Sequence, residues 1–193
     1  MILEQWFPSR IGFAFNPDHK EMEEELTNYC LQKREMDTNL DQTNWVGKVY
    51  NKTIVGVSKF DRINAWVEKQ VDLYIQQHGM LNVSATDCHK TGWFNVYDKG
   101  DFQEYHYHPS FISCIYFLNS NSNDSKVIFK SPIDDVLDIT YMDTTYSPSG
   151  TITYDSDPGK LLIFRSHLNH CVEQKQTDDL RITLAYNFNY KFF

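Results

Sequence analysis

The stretch TGWFNVYDKGDFQEYHYHPSFISCIYFL, Thr91 to Leu118, decides the reading of this chain, and at its centre stands His106-Tyr107-His108. Side chains alternate between the faces of an extended strand, so residues two apart point the same way. Both imidazoles are therefore expected on one surface, close enough to share a metal ion. A second element, KLLIFRSHLNHCVEQ from Lys160 to Gln174, supplies a third histidine, His170, and Arg181 follows at the head of a final strand. Two ligands from one strand, one from a distant strand and an arginine downstream point to a non-haem iron site.

Around this stretch the chain divides into a helical first portion and a strand-rich second portion. Glu4 to Asn16 reads as a strand broken by Pro8. Asp18 and Glu21 form an expected capping box, after which Met22, Leu26, Tyr29 and Cys30 recur at helical spacing to about Met36. Residues 37–58 show no clear period and read as a loop with short strands. Ile63, Trp66, Val67, Val71, Tyr74 and Ile75 mark a stronger amphipathic helix that Gly79 ends. Beyond it, Leu81–Ala85, Trp93–Tyr97, Phe111–Leu118, Lys126–Phe129, Leu161–Phe164 and Arg181–Asn189 are short apolar or alternating runs separated by turn residues. Two helices followed by many strands predict an α+β fold, a jelly roll or barrel with the helices packed against one sheet. The expected organisation is one domain over 1–193, helical over residues 1–80 with a jelly-roll core over 81–193.

Composition sets the outer bounds. The chain has 193 residues, 41% of them hydrophobic and 15% aromatic, enough to bury a core and too apolar for disorder. A net charge of −8 argues against a nucleic-acid surface, which would need a basic patch. No basic-then-apolar segment opens the chain and no apolar run is long enough for a membrane span. Cys30, Cys88, Cys114 and Cys171 are far apart and form no CxxC pair, so they read as reduced thiols. The expectation is a soluble, intracellular, cytoplasmic protein with neither nucleic-acid nor membrane partners.

Taken together, NVYDKGDFQEYHYHPSFISCIYFLN and GKLLIFRSHLNHCVEQKQTDDLRITLAYNF resemble the double-stranded β-helix core of the Fe(II)/2-oxoglutarate-dependent oxygenases. The likeness is to the prolyl-4-hydroxylase-like branch, and within it to a family of oxygenases found in bacteria and tailed phages. WFPSRIG near the start resembles the segment that opens members of that family. The resemblance implies Fe(II) held by His106, His108 and His170, with His108 standing where prolyl hydroxylases place an aspartate. Glu104, two residues before His106, is the reserve carboxylate ligand. It implies that Arg181 pairs with the distal carboxylate of the cosubstrate 2-oxoglutarate, a role suited to a guanidinium fork. Thr183 shares the strand face of Arg181 in an RxT that resembles the RxS of many relatives and is expected to bind the cosubstrate with it. Tyr97 matches a position that often lines the cosubstrate pocket, and Phe117 falls where many relatives have a hydrogen-bonding tyrosine. In the expected barrel His170 and Arg181 lie on neighbouring strands.

The implied reaction consumes O2 and 2-oxoglutarate, releases succinate and CO2, and hydroxylates a C–H bond of a peptide, protein or small-molecule substrate. Two other readings remain. Gly100 to His108 also fits the G-x5-HxH of a three-histidine cupin dioxygenase, although the glutamate expected soon afterwards is missing from Pro109 to Ser113. A jelly-roll binding module could keep histidines without turnover. Arg181 has Asp178 and Asp179 nearby as rival partners. The acidic stretch from Ser131 to Asp157, holding Asp134, Asp135, Asp138, Asp143, Asp155 and Asp157, fits either a lid over the site or a solvated surface loop.

Overall fold

The computed structural model describes residues 9–37, 49–79, 83–132 and 150–190. Within them the chain runs β1 (Ile11–Phe15), α1 (His19–Met36), β2 (Tyr50–Thr53), α2 (Asp61–Gln77), β3 (Cys88–Tyr97), β4 (Gln103–His106), β5 (Ile112–Asn119), β6 (Val127–Lys130), β7 (Thr151–Tyr154), β8 (Lys160–Arg165), β9 (His170–Val172) and β10 (Arg181–Tyr190). Two antiparallel sheets result, one ordered β1-β8-β5-β10-β3-β2 and the other β4-β9-β6-β7. From β3 onward the chain crosses between the sheets at almost every step, the β6–β7 hairpin excepted. That winding is the jelly roll of a double-stranded β-helix, completed by two helices into an α+β fold.

Burial explains why the central strands read as unbroken apolar runs. In CIYFL, Cys114, Tyr116 and Leu118 face the helices, while Phe117 faces the second sheet. In β8, Leu161 and Ile163 pack toward the helices, and Leu162 and Phe164 toward the second sheet. A strand buried on both faces loses the apolar–polar alternation of a half-exposed one. β10 pairs with β3 in continuous register from Arg181↔Tyr97 to Tyr190↔Cys88 and with β5 on its other side. Every second residue of β10 (Ile182, Leu184, Tyr186, Phe188) turns to the helices. Arg181 and Thr183 turn the opposite way, toward the smaller sheet.

The helices cover the outer face of the large sheet as their periodicity requires. α1 buries Met22, Leu26 and Cys30; α2 buries Ile63, Val67, Val71, Tyr74 and Ile75 and is followed, after His78, by Gly79, whose φ is +69°. Each such side chain contributes roughly 1.5–3 kcal/mol on burial. Two local expectations change. Asp18 makes no side-chain bond to the first turn of α1; instead Asp18 and Glu21 both pair with Arg62 of α2, at 2.8 and 2.7 Å. The carboxylates staple two helices together where a capping box was expected. The strand expected over Leu81–Ala85 is not seen among its described residues. Ala85–Asp87 is a 3-10 turn, held because Asp72 of α2 accepts a bond from the Ala85 N–H at 2.6 Å.

β1, within the strand expected over Glu4–Asn16, and β2, within the loop with short strands expected over residues 37–58, extend the two edges of the large sheet. Glu4 to Pro8 of the first expected strand, Leu81, and Asp134, Asp135, Asp138 and Asp143 of the acidic stretch lie outside the described residues. All four cysteines are free thiols. No described helix is long and apolar enough to cross a membrane.

Candidate active site

His106 ends β4 and pairs in register with His170, the first residue of β9. Their rings stand 4.3 Å apart between centroids, and the His108 ring lies 5.1 Å from His106 and 5.3 Å from His170. One ligand nitrogen from each of the three lies within 4.8 Å of the others. The convergence expected of HxH is present, but not through an unbroken strand. β4 stops at His106, and the His108 N–H donates instead to the Ser166 carbonyl, 2.9 Å away in the turn after β8. A register shift between Gln103 and His106 also breaks the alternation that would carry Glu104 to the same face. The Glu104 side chain is exposed and is not part of the histidine cluster, while its backbone carbonyl accepts a bond from His106 Nδ1 at 2.7 Å.

Local packing prepares these rings as neutral donors. His170 Nδ1 donates to the Leu168 carbonyl at 2.9 Å, as His106 Nδ1 does to Glu104, so in both the proton sits on Nδ1 and the lone pair on Nε2. Burial lowers the pKa of all three. His170 falls to about 3, through burial and the neighbouring His106, and His108 to about 4 for the same two reasons. His106 is also lowered by burial, partly offset by its bond to Glu104. Phe164 and Phe129 pack against His170 with centroids 4.8 and 5.5 Å away and fix its orientation.

Arg181 sits in the large sheet, whereas His170 sits in the small one. The two face each other across the sandwich, not side by side on neighbouring strands, because the chain changes sheets between β9 and β10. A cavity lined by the three histidines, Trp93, Asn95, Tyr97, Phe164, Arg181 and Thr183 lies between the sheets. The Arg181 side chain is 2% exposed, with the rings of Tyr97 and Phe117 at 4.9 and 5.6 Å from its Cζ. Nη1 donates to Ser156 Oγ at 2.7 Å, while Nε and Nη2 are buried with no hydrogen-bond partner. Its sequence rivals are engaged elsewhere: Asp178 pairs with Lys99, and Asp179 accepts from Asn121. Burial pulls the guanidinium below its ordinary pKa, with Tyr97 and Asp124 opposing. Thr183 Oγ accepts from Asn95 Nδ2 at 3.2 Å. Burial pushes the Tyr97 phenol up, with the Arg181 charge and a Thr183 hydrogen bond opposing.

Two residues here escaped the sequence reading. Asn95 was within reach, because strand alternation places it on the face of Tyr97. Ser156 was not, because a loop serine carries no pattern.

The residues fit both groups that the sequence implies. Three neutral imidazoles suit a divalent transition metal, and a buried guanidinium with two unpaired donors and no carboxylate partner among the described residues suits a carboxylate ligand. Fold and site define a double-stranded β-helix in which a three-histidine cluster able to hold a metal shares one cavity with a buried arginine able to hold an anion. Residues 91–187 match the family described as "Putative 2OG-Fe(II) oxygenase", and the chain belongs to that family. It is accordingly an enzyme dependent on Fe(II) and 2-oxoglutarate. Membership sets aside the cupin dioxygenase and the non-catalytic module.

Solved structures share the fold. A prolyl-4-hydroxylase from Pseudomonas putida is 17% identical with a TM-score of 0.67, over 95% of this chain and 94% of that one. A prolyl hydroxylase from Trichoplax adhaerens, in complex with a peptide fragment of the hypoxia inducible factor oxygen degradation domain, is 13% identical with a TM-score of 0.62, over 93% and 83%. HygX from Streptomyces hygroscopicus, with nickel and 2-oxoglutarate bound, is 12% identical with a TM-score of 0.55, over 94% and 84%. No curated protein sequence matches the chain.

Proposed function

We propose that His106, His108 and His170 are the iron ligands, that Arg181, Thr183 and Tyr97 bind 2-oxoglutarate, and that the enzyme hydroxylates a C–H bond of a peptide or protein substrate. The observation that carries this reading is the pairing of three neutral imidazoles with a buried, half-satisfied guanidinium across one cavity. Bound Fe(II), with 2-oxoglutarate and O2, supplies the oxidising chemistry, coupling release of succinate and CO2 to insertion of one oxygen atom into a C–H bond.

The chain's own contribution is positioning. Three protein ligands leave coordination positions open for small molecules. The bonds from Nδ1 of His106 and His170 to backbone carbonyls hold both rings with Nε2 inward. His108 is favoured over Glu104 as third ligand because its ring lies with the other two and the Glu104 carboxylate does not. The unpaired Nε and Nη2 of Arg181 grip the far carboxylate of the cosubstrate, in a pocket that Phe117, Phe164 and Val172 keep apolar.

Two observations support a peptide substrate over a free small molecule. A shallow groove lined by Phe102, Tyr105, Cys171 and Gln174 runs along β4 and β9, and Gln103 and Val172 line both it and the cavity. The Trichoplax adhaerens structure of the same fold holds a peptide fragment. The experiment is succinate formation by Fe(II)-loaded enzyme, screened against peptide and free amino-acid pools. Stimulation by peptides above the substrate-free rate is the expected result. Stimulation by amino acids alone would shift the substrate class, and failure to turn over 2-oxoglutarate would end the reading.

A further inference from the structure

The donors of Arg181 are not equivalent. Nη1 is taken by Ser156 Oγ at 2.7 Å, while Nε and Nη2 are buried and unpartnered. Ser156 is itself fully buried, and its hydroxyl donates to the Ser125 carbonyl at 2.8 Å. A hydroxyl has one proton; with that proton committed to Ser125, the lone pair that remains faces Arg181 as acceptor. The Ser125 carbonyl is aimed by its own backbone, at φ +52°. Its neighbour Asp124 anchors that turn by accepting from the Gln176 and Thr177 N–H groups at 3.0 and 2.9 Å and from Thr177 Oγ at 2.5 Å. The loop between β7 and β8, the β5–β6 turn and the approach to β10 thus meet at one guanidinium.

We propose that Ser156 is a positioning residue that turns the Nε/Nη2 edge of Arg181 toward the cavity, so that the distal carboxylate of 2-oxoglutarate is held side-on by that edge. This rests on the assignment of Arg181 to the cosubstrate made above. Without the Ser156 acceptor, Nη1 becomes a third competing donor, and only the Tyr97 and Phe117 rings are left to orient the guanidinium. Ser156 touches neither metal nor cosubstrate in this arrangement; it acts through Arg181.

The test is calorimetric binding of 2-oxoglutarate and of 2-oxopentanoate, which lacks the distal carboxylate, to Ni(II)-loaded protein. The parent binds the dicarboxylate much more tightly. Ser156→Ala weakens 2-oxoglutarate by about tenfold or more, the loss of a hydrogen bond to a charged group, and leaves 2-oxopentanoate unchanged. Ser156→Cys, which keeps the volume but is a poor acceptor, follows Ala, and Ser156→Thr, which keeps the hydroxyl, restores the preference. Equal weakening of both keto acids, or an unchanged preference in Ser156→Ala and Ser156→Cys, overturns the role of Ser156 while leaving the Arg181 clamp standing. A parent that does not discriminate between the two keto acids overturns the clamp, and the inference with it.

Discussion

His106 and His170 face each other as directly paired residues of β4 and β9, with ring centroids 4.3 Å apart and each Nδ1 tied to a backbone carbonyl. A pair preset in this way loses little freedom when it binds a metal. His106→Ala or His170→Ala is therefore expected to abolish Fe(II) binding in a folded protein, as measured by anaerobic metal titration. His108→Ala is expected to cost more than about tenfold in affinity and Glu104→Ala little, because only a true ligand loses a metal bond. The reverse order would make Glu104 the third ligand.

Acid should destabilise the metal-free protein through the same residues. Each histidine takes up a proton near pH 6.5 when unfolded, but His108 does so only near about 4 and His170 near about 3 when folded. Between those values the unfolded chain binds more protons, so stability rises with pH. It is fully present above about 6.5 and drains away as pH falls toward the folded values. Urea unfolding of metal-free protein from pH 7 to 4 should show this slope, and His170→Leu should flatten it. An unchanged slope would mean that His170 is not buried neutral.

The turn entering β8 offers a test of the fold away from the site. Gly159 has φ +82°, its N–H donates to the Phe117 carbonyl at 2.8 Å, and an added Cβ would lie 2.9 Å from Cγ of buried His19. Gly159→Ala should cost about 2 kcal/mol in urea unfolding, the scale of a strained backbone position. A neutral substitution would mean that α1 does not pack here as described.

How much of this was legible in the sequence depended on what each element is held by. CIYFL and LLIF were readable as strands because both faces are buried and the run is apolar throughout. β4, β7 and β9 were not, because they are three or four residues long and are fixed by their partners more than by their own pattern. The amphipathic period of α2 gave the helix, but could not say that Asp72 would hold the next segment in a 3-10 turn. The histidines and Arg181 were legible as a set through their order and spacing. Their placement on opposite sheets was not, since crossing between sheets is a property of topology. Ser156 and the bulge that removes Glu104 from the histidine face are tertiary facts with no local signature.

The central claim is that one cavity holds a metal at the three histidines and a 2-oxoglutarate carboxylate at Arg181. It is tested most directly by titrating 2-oxoglutarate into anaerobic Fe(II)-loaded protein and following the visible charge-transfer absorption of a chelated keto acid. The parent should develop the band and saturate. Arg181→Lys should need more 2-oxoglutarate, because it keeps the charge but loses the planar fork. Arg181→Ala should need still more, with about 2–5 kcal/mol of binding lost, while Fe(II) affinity stays at the parent value in both. A parent protein that binds Fe(II) but shows neither the band nor any binding of 2-oxoglutarate would contradict the account.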